Sequence, residues 1–143
     1  MKRAIDLALL GRGRTAPNPM VGCVIEYKGK IIGEGWHKKS GSAHAEVNAF
    51  NSVIDESVLS EANVYVTLEP CAMCAGAMVH ARLQTLVFGA SEPRAGAVCS
   101  QQRFFESTYL NHQVVTRGGI LAEASSSRLR AFFKAKRQAP PVA

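Results

Sequence analysis

Val64-Tyr65-Val66-Thr67-Leu68-Glu69-Pro70-Cys71-Ala72-Met73-Cys74 holds a strand, a stop and the start of a helix within one short stretch. The run from Val64 to Leu68 is apolar and β-branched, the composition of a buried strand. It ends at Glu69-Pro70, and the small residues that follow, from about Ala72 to Ala81, predict a helix. Cys71 and Cys74 therefore fall at a helix N-terminus, where unpaired N–H groups and the helix dipole favour anions and help keep sulfur deprotonated.

Working outward, helices and strands alternate. Ile5, Ala8 and Leu9 lie at i, i+3 and i+4 and predict an amphipathic helix that stops near Gly11 and Gly13. A Pro17-Asn18-Pro19 turn follows. Val21 to Ile25 and Ile31-Ile32 flank Lys28-Gly29-Lys30 and predict a β-hairpin, although its turn lacks the strongest dipeptides. His44 to about Ser52 reads as a helix. Beyond the central stretch come a strand at Thr85 to Phe88, a loop with Pro93 and Gly96, and a short helix near Phe104 and Phe105. A strand at Val114-Val115 and a last helix from near Ile120 complete the order. In that helix Leu129, Phe132 and Phe133 mark a core face, while Arg130, Lys134 and Arg137 recur at i, i+4 and i+7 along another. Such alternation predicts a three-layer α/β domain. It is expected to occupy 1–137, with a disordered tail over 138–143.

Composition narrows the function classes. Hydrophobic residues make up 47% of the chain and charged ones 20%, which is the balance of a folded domain. No apolar run approaches the roughly 20 residues that cross a bilayer, and Asp6 falls where a secretory signal has its apolar stretch. A cytoplasmic protein with no membrane partner is expected. Four cysteines are too few for a disulfide framework in a chain of this length, which leaves metal or redox chemistry. The net charge is +6, and Arg128, Arg130, Lys134, Lys136 and Arg137 follow the last acid, Glu123. That asymmetry fits a polyanionic partner, and equally a solvated helix face with a basic tail.

His44-Ala45-Glu46 opens one predicted helix, and Pro70-Cys71-Ala72-Met73-Cys74 opens another. His44, Cys71 and Cys74 supply three ligands and leave the fourth tetrahedral position of a zinc ion open, as a catalytic site requires. The arrangement resembles the His-x-Glu and Pro-Cys-x-x-Cys pattern of the zinc deaminases. Glu46 then carries a proton from the activated water to the ring nitrogen and the leaving amine. A closed structural zinc site would need Cys23 or Cys99 as a fourth ligand, and a redox Cys-x-x-Cys would leave His-x-Glu without a use. Cys23 and Cys99 are themselves expected as small core residues.

The two halves resemble different branches of this superfamily. Tyr65 to Arg82, then Val87-Phe88-Gly89-Ala90, Asn111-His112 and Phe132-Phe133, make the chain from Ala62 to about Arg137 similar to bacterial tRNA-specific adenosine deaminase. From Met1 to about Leu59, Pro17-Asn18-Pro19-Met20-Val21-Gly22, Gly33-Glu34-Gly35-Trp36-His37-Lys38-Lys39 and His44-Ala45-Glu46-Val47-Asn48-Ala49 resemble the pyrimidine deaminase of riboflavin synthesis. In the tRNA enzymes an asparagine that holds the base usually stands where His37 is. A riboflavin-pathway enzyme would carry a longer insertion between its cysteines and a reductase domain after the deaminase; neither is found here, which favours the tRNA type. The junction falls near Leu59 to Val66, so a recombined or engineered chain is one reading, which uniform homology across both halves would dispose of.

The resemblance implies a cytidine-deaminase-like α/β/α fold with a five-stranded mixed sheet, one zinc per subunit, and a homodimer that grips an anticodon loop from both subunits. By position, Asn18, Val21 and His37 line the base pocket, with backbone contacts from Ala45 and Cys71. Glu92, Arg94, Arg130, Lys134 and Arg137 are the candidates for the nucleic-acid strand. For Asn18 an Asx-type turn is the competing explanation, and for His37 an exposed loop. His80 and His112 are expected to be structural, and Trp36 to be wall or core. The expected activity is deamination of adenosine to inosine in a tRNA anticodon loop or other single-stranded nucleic acid. Alternatives are deamination of a small pyrimidine and a deaminase-like binding subunit without catalysis; Glu46 argues against the last.

Overall fold

In the computed structural model of the chain, the hairpin forms as β1 (Gly22–Tyr27) and β2 (Lys30–Trp36), paired antiparallel. Its two-residue turn has Lys28 at φ 49° and Gly29 at φ 79°, the pair of positive angles of a type I′ turn. That is the turn whose twist suits a hairpin, reached here with Lys in place of Asn or Asp. The structure describes residues 1–138, and the side chains at 132, 133, 135 and 136 lie outside that description. The core role expected of Phe132 and Phe133 lies outside it as well, as does the expected tail apart from Gln138.

Before the hairpin stands α1 (Lys2–Ala8), continued by a single 3-10 turn through Gly11. After it come α2 (Ala45–Ser52), β3 (Asn63–Leu68), α3 (Ala72–His80), β4 (Thr85–Ala90), β5 (Val115–Arg117) and α4 (Ala122–Gln138). The five strands form one mixed sheet in the order β2-β1-β3-β4-β5. Pairing is antiparallel up to β3 and parallel from β3 through β4 to β5, with α3 as the crossover between β3 and β4.

The sheet separates two helical layers. On one face Cys23, Ile25, Val64, Val66, Leu86 and Phe88 pack against α2 and α3 in the main core, with Met78 fully buried. On the other, Val24 and Tyr65 meet Ala4 and Leu7 of α1, and α4 approaches β4 with Ser125 against Gly89. The three layers expected from the alternation are thus present.

Two boundaries differ from the sequence reading. The last strand begins at Val115, with Val114 buried just before it. The last helix begins two residues beyond Ile120, because Gly119 and Leu121 take positive φ and turn the chain first. Cys99 is exposed, contrary to expectation, while Cys23 is fully buried. Among the described residues no helix is long and apolar enough to cross a membrane.

Candidate active site

Two helices aim their N-termini at one point. His44 is the residue before α2 and Cys71 the residue before α3, both with extended backbone angles and neither capping its helix through its side chain. Positions that ordinarily favour Ser, Asp or Asn are thereby given to groups that face outward from the helix ends. Close approach of α2 to the sheet fixes the first of them: a Cβ on Gly35 would lie 2.4 Å from both the Ala45 oxygen and the Ala49 nitrogen. Only glycine in β2 lets α2 sit that low.

His44 Nδ1 lies 3.8 Å from the Cys71 sulfur and 3.5 Å from that of Cys74. Nitrogen and sulfur bound to a tetrahedral zinc at roughly 2.0 and 2.3 Å stand about 3.6 Å apart, so the donor set fits this ion. The three ligand atoms all lie within 4.8 Å of one another, and among the described residues no fourth side chain joins them. Neither Cys23 nor Cys99 closes the site. Electrostatics agree with a cation. A hydrogen bond from Cys74 holds the Cys71 thiol down to about 5, with help from the N–H groups of Cys74 and Met73, and the same pairing pushes the Cys74 thiol up. Two sulfurs so close ionise together only around a positive charge. A zinc ion held by them supplies a Lewis acid that activates water near neutral pH.

Glu46, the second residue of α2, is buried and borders the same cavity. Burial raises its carboxyl above the ordinary value. The cavity holds about 210 Å³ and is open to the surface. Asn18, Val21, His37 and Ala45, the residues expected around a base, all line it.

His37 is 4% exposed, which removes the exposed-loop alternative. Its Nδ1 is 3.1 Å from the carbonyl of Ala43. A carbonyl only accepts, so Nδ1 carries the proton, and in the neutral ring Nε2 is left as an acceptor. That atom has no partner among the described residues. The ring stands edge-on to His44, with centroids 6.1 Å apart. Asn18 is exposed at the rim, its N–H bonded to the Thr15 carbonyl at 2.8 Å. The Asn18 N–H of the turn is thus satisfied by Thr15, and the residue lines the cavity.

Leu68, Glu69 and Ala95 also line the cavity, and none was anticipated. Glu69 is the organising group of that wall. Its carboxylate accepts from the N–H groups of Glu92 at 3.0 Å, Val98 at 3.1 Å, Cys99 at 2.7 Å and Ser100 at 2.9 Å, and from the Ser100 hydroxyl. Burial alone would raise its pKa, but the Ser100 hydroxyl and these N–H groups outweigh it and hold the carboxyl down to about 2. Its one signal in the sequence is an acid placed between an apolar strand and Pro-Cys.

Of the expected nucleic-acid contacts, Glu92 lines the cavity and Arg94 is exposed beside it, its N–H bonded to the Glu92 carboxylate at 2.9 Å. Arg130, Lys134 and Arg137 are exposed on α4, in the layer across the sheet from α2 and α3. Trp36 packs half-buried against the α1 cluster, and His112 bonds the Leu83 carbonyl at 2.7 Å, both structural as expected. His80 is exposed at the end of α3.

The family model for the zinc-binding region of cytidine and deoxycytidylate deaminases matches residues 1–90. A tRNA-specific adenosine deaminase of Haemophilus influenzae is 39% identical over 127 residues, covering 84% of this chain and 73% of that protein. A diaminohydroxyphosphoribosylamino-pyrimidine deaminase of Buchnera aphidicola is 34% identical over 147 residues, covering 99% of this chain and 96% of that one. The second alignment spans the junction near Leu59 to Val66, so the likeness of the two halves to different branches requires no recombination. It also shows a pyrimidine deaminase of nearly this extent, so a reductase domain is not a mark of that type. The crystal structure of the two-activity deaminase and reductase of Thermotoga maritima superimposes with a TM-score of 0.76 at 33% identity, over 96% of this chain. This chain spans 40% of that one. A zinc-ligand set, a buried carboxylate beside it and these relatives agree: the chain belongs to the cytidine and deoxycytidylate deaminase family.

Proposed function

We propose that the chain deaminates adenosine to inosine in a looped or single-stranded RNA, of which a tRNA anticodon loop is the model. The observation that carries this reading is the size of the cavity. At about 210 Å³ it lies below the roughly 300–1,000 Å³ of pockets that enclose a drug-sized ligand whole. It takes a base, and the rest of the nucleotide stays on a surface of net charge +6. A flipped base held in this way matches how deaminases reach a polymeric substrate. His44, Cys71 and Cys74 would hold the metal, and Glu46 delivers one proton of the attacking water to the ring nitrogen and the other to the departing amine. Asn18, Val21, His37 and Ala45 orient the base.

Deamination of a small pyrimidine is a second reading, and a specific observation favours it. His37, with its free acceptor Nε2, stands where the tRNA enzymes usually have asparagine, and the Buchnera pyrimidine deaminase aligns over nearly the whole chain.

An RNA hairpin with one labelled loop adenosine separates the two. Conversion to inosine that disappears in Glu46→Ala, by about 100-fold or more, supports the adenosine reading. Turnover of a pyrimidine mononucleotide with no conversion of the hairpin by the same zinc-loaded protein replaces it with the second. The family resemblance also implies a homodimer, which sedimentation of the protein measures.

A further inference from the structure

Two loops frame the side of the cavity that carries Asn18 and His37, and both are basic. The first runs from Arg12 to Met20 and the second from His37 to Ala43. They carry Arg12, Arg14, Lys38 and Lys39, all exposed, and no acidic residue lies between Asp6 and Glu26 or between Glu34 and Glu46. The Ser40 N–H donates to the Arg14 carbonyl at 2.9 Å, joining the loops edge to edge. Their bases are equally close: a Cβ on Gly11 would lie 2.5 Å from the His37 oxygen. Lys39 is held in a turn, its carbonyl accepting from the Ser42 hydroxyl at 2.6 Å. Lys38 lies over the Trp36 ring with its nitrogen 5.2 Å from the centroid.

These charges are unspent. Among the described residues the ion pairs are Arg3 with Glu34, Arg103 with Glu106 and Arg130 with Glu123, and none involves the four. Four cations on two joined loops repel one another, and the arrangement gains only when an anion is present to share. The same loops deliver Asn18, Pro19 and His37 to the cavity, so a base seated there places its sugar and phosphate beside them. Guanidinium groups suit a phosphate because their planar donors engage two oxygens at once.

We propose that Arg12, Arg14, Lys38 and Lys39 form a phosphate-binding rim for the nucleotide whose base occupies the zinc pocket. The inference rests on the reading that a nucleobase enters this cavity, and it adds the class of substrate: phosphorylated, whether as a free nucleotide monoester or as a diester of a strand. The rim differs from the α4 stripe in position. Its two loops also supply cavity-lining residues, whereas the stripe lies in the layer across the sheet.

The test compares kcat/KM of the zinc-loaded chain for adenosine, adenosine 5′-monophosphate and the single-adenosine hairpin, in the wild type and in Arg12→Ala/Arg14→Ala and Lys38→Ala/Lys39→Ala. The control is Lys28→Ala/Lys30→Ala, which removes the same charge at the hairpin turn. Each rim pair is expected to lose about 10-fold or more on phosphorylated substrates, with adenosine unchanged and the control near wild type. Loss on both the monophosphate and the hairpin assigns a monoester-competent rim, and loss on the hairpin alone assigns a diester. Equal loss on adenosine, loss in the control, or no loss overturns the proposal. If no adenine substrate is turned over, the adenosine reading has failed by itself. Calorimetry with ribose 5-phosphate then decides for the rim: binding weakened about 10-fold in the arginine pair supports it, and no binding or no difference overturns it.

Discussion

The residues before β3 and those from its last residue onward contribute to the cavity in opposite ways. The earlier half brings Asn18, Val21, His37, His44 and Glu46, and the later half brings Leu68, Glu69, Cys71, Glu92 and Ala95. In the earlier half polar atoms are left open, the free Nε2 of His37 above all. In the later half the principal polar group, Glu69, has spent its oxygens on the loop from Glu92 to Ser100. Open donors and acceptors discriminate between ligands, because a ligand that fails to match them leaves a buried group unpaired. Saturated groups only set shape. The candidate metal ligands are shared between the halves, one from the first and two from the second, but the proposed recognition falls chiefly to the first.

His37→Ala is the most direct attempt to break this comparison. Removing a buried polar contact to the substrate is expected to cost about 10- to 100-fold in kcat/KM, with zinc content unchanged. His37→Asn restores a polar group of the tRNA type and should recover turnover of the RNA hairpin before that of a pyrimidine mononucleotide. Kinetics with both substrates and metal analysis read the outcome. Loss of zinc in step with activity would show that the His37 ring serves to support His44, 6.1 Å away, and the division of labour would not hold.

Glu69→Gln tests the other half and is expected to do less to catalysis and more to stability. One carboxylate oxygen becomes an NH₂ facing N–H donors, so at least one buried bond becomes a clash of like groups. A loss of about 1–3 kcal/mol in unfolding free energy is expected, together with a fall of less than about 10-fold in kcat/KM that is the same for every base. Thermal unfolding and a two-substrate comparison measure it. A change in the ratio between substrates would mean that the saturated wall also discriminates.

The halves also differed in how far the sequence disclosed them. The metal set was legible because its chemistry is local: His44 and Glu46 share a helix start, and Cys71 and Cys74 share another. The sheet was legible because its strands are short and apolar, and β1 and β2 are joined by a tight turn. Glu69 was not, because its role depends on a loop 23 to 31 residues onward that folds back over it. Cys99 misled for the same reason. Its residue type is commonly buried, but here its N–H is committed to Glu69, which leaves its side chain on the exposed side of the loop. The rim of Arg12, Arg14, Lys38 and Lys39 becomes visible only when two loops remote in sequence are joined at Ser40 and Arg14. The stripe on α4 is legible in the sequence because helical spacing displays it within one segment.

That stripe gives the smallest effect and sharpens the comparison further. Arg130 is already paired with Glu123 at 2.7 Å, an exposed pair of little energetic consequence but one that reduces what Arg130 offers a phosphate. Lys134 and Arg137 are therefore the members to remove. Each phosphate contact to a single strand contributes about 0.7 to the slope of log affinity against log salt. If both residues touch the strand, Lys134→Ala/Arg137→Ala lowers that slope by about 1.4 and weakens hairpin binding several-fold at moderate salt. The layer that carries α4 lies across the sheet from the metal, so kcat at saturating hairpin should stay as in the wild type. An unchanged slope assigns the stripe to a solvated face and leaves the polyanion contact to the loops beside the cavity. A fall in kcat would instead mean that α4 reaches the chemistry, and that the sheet does not divide binding from catalysis.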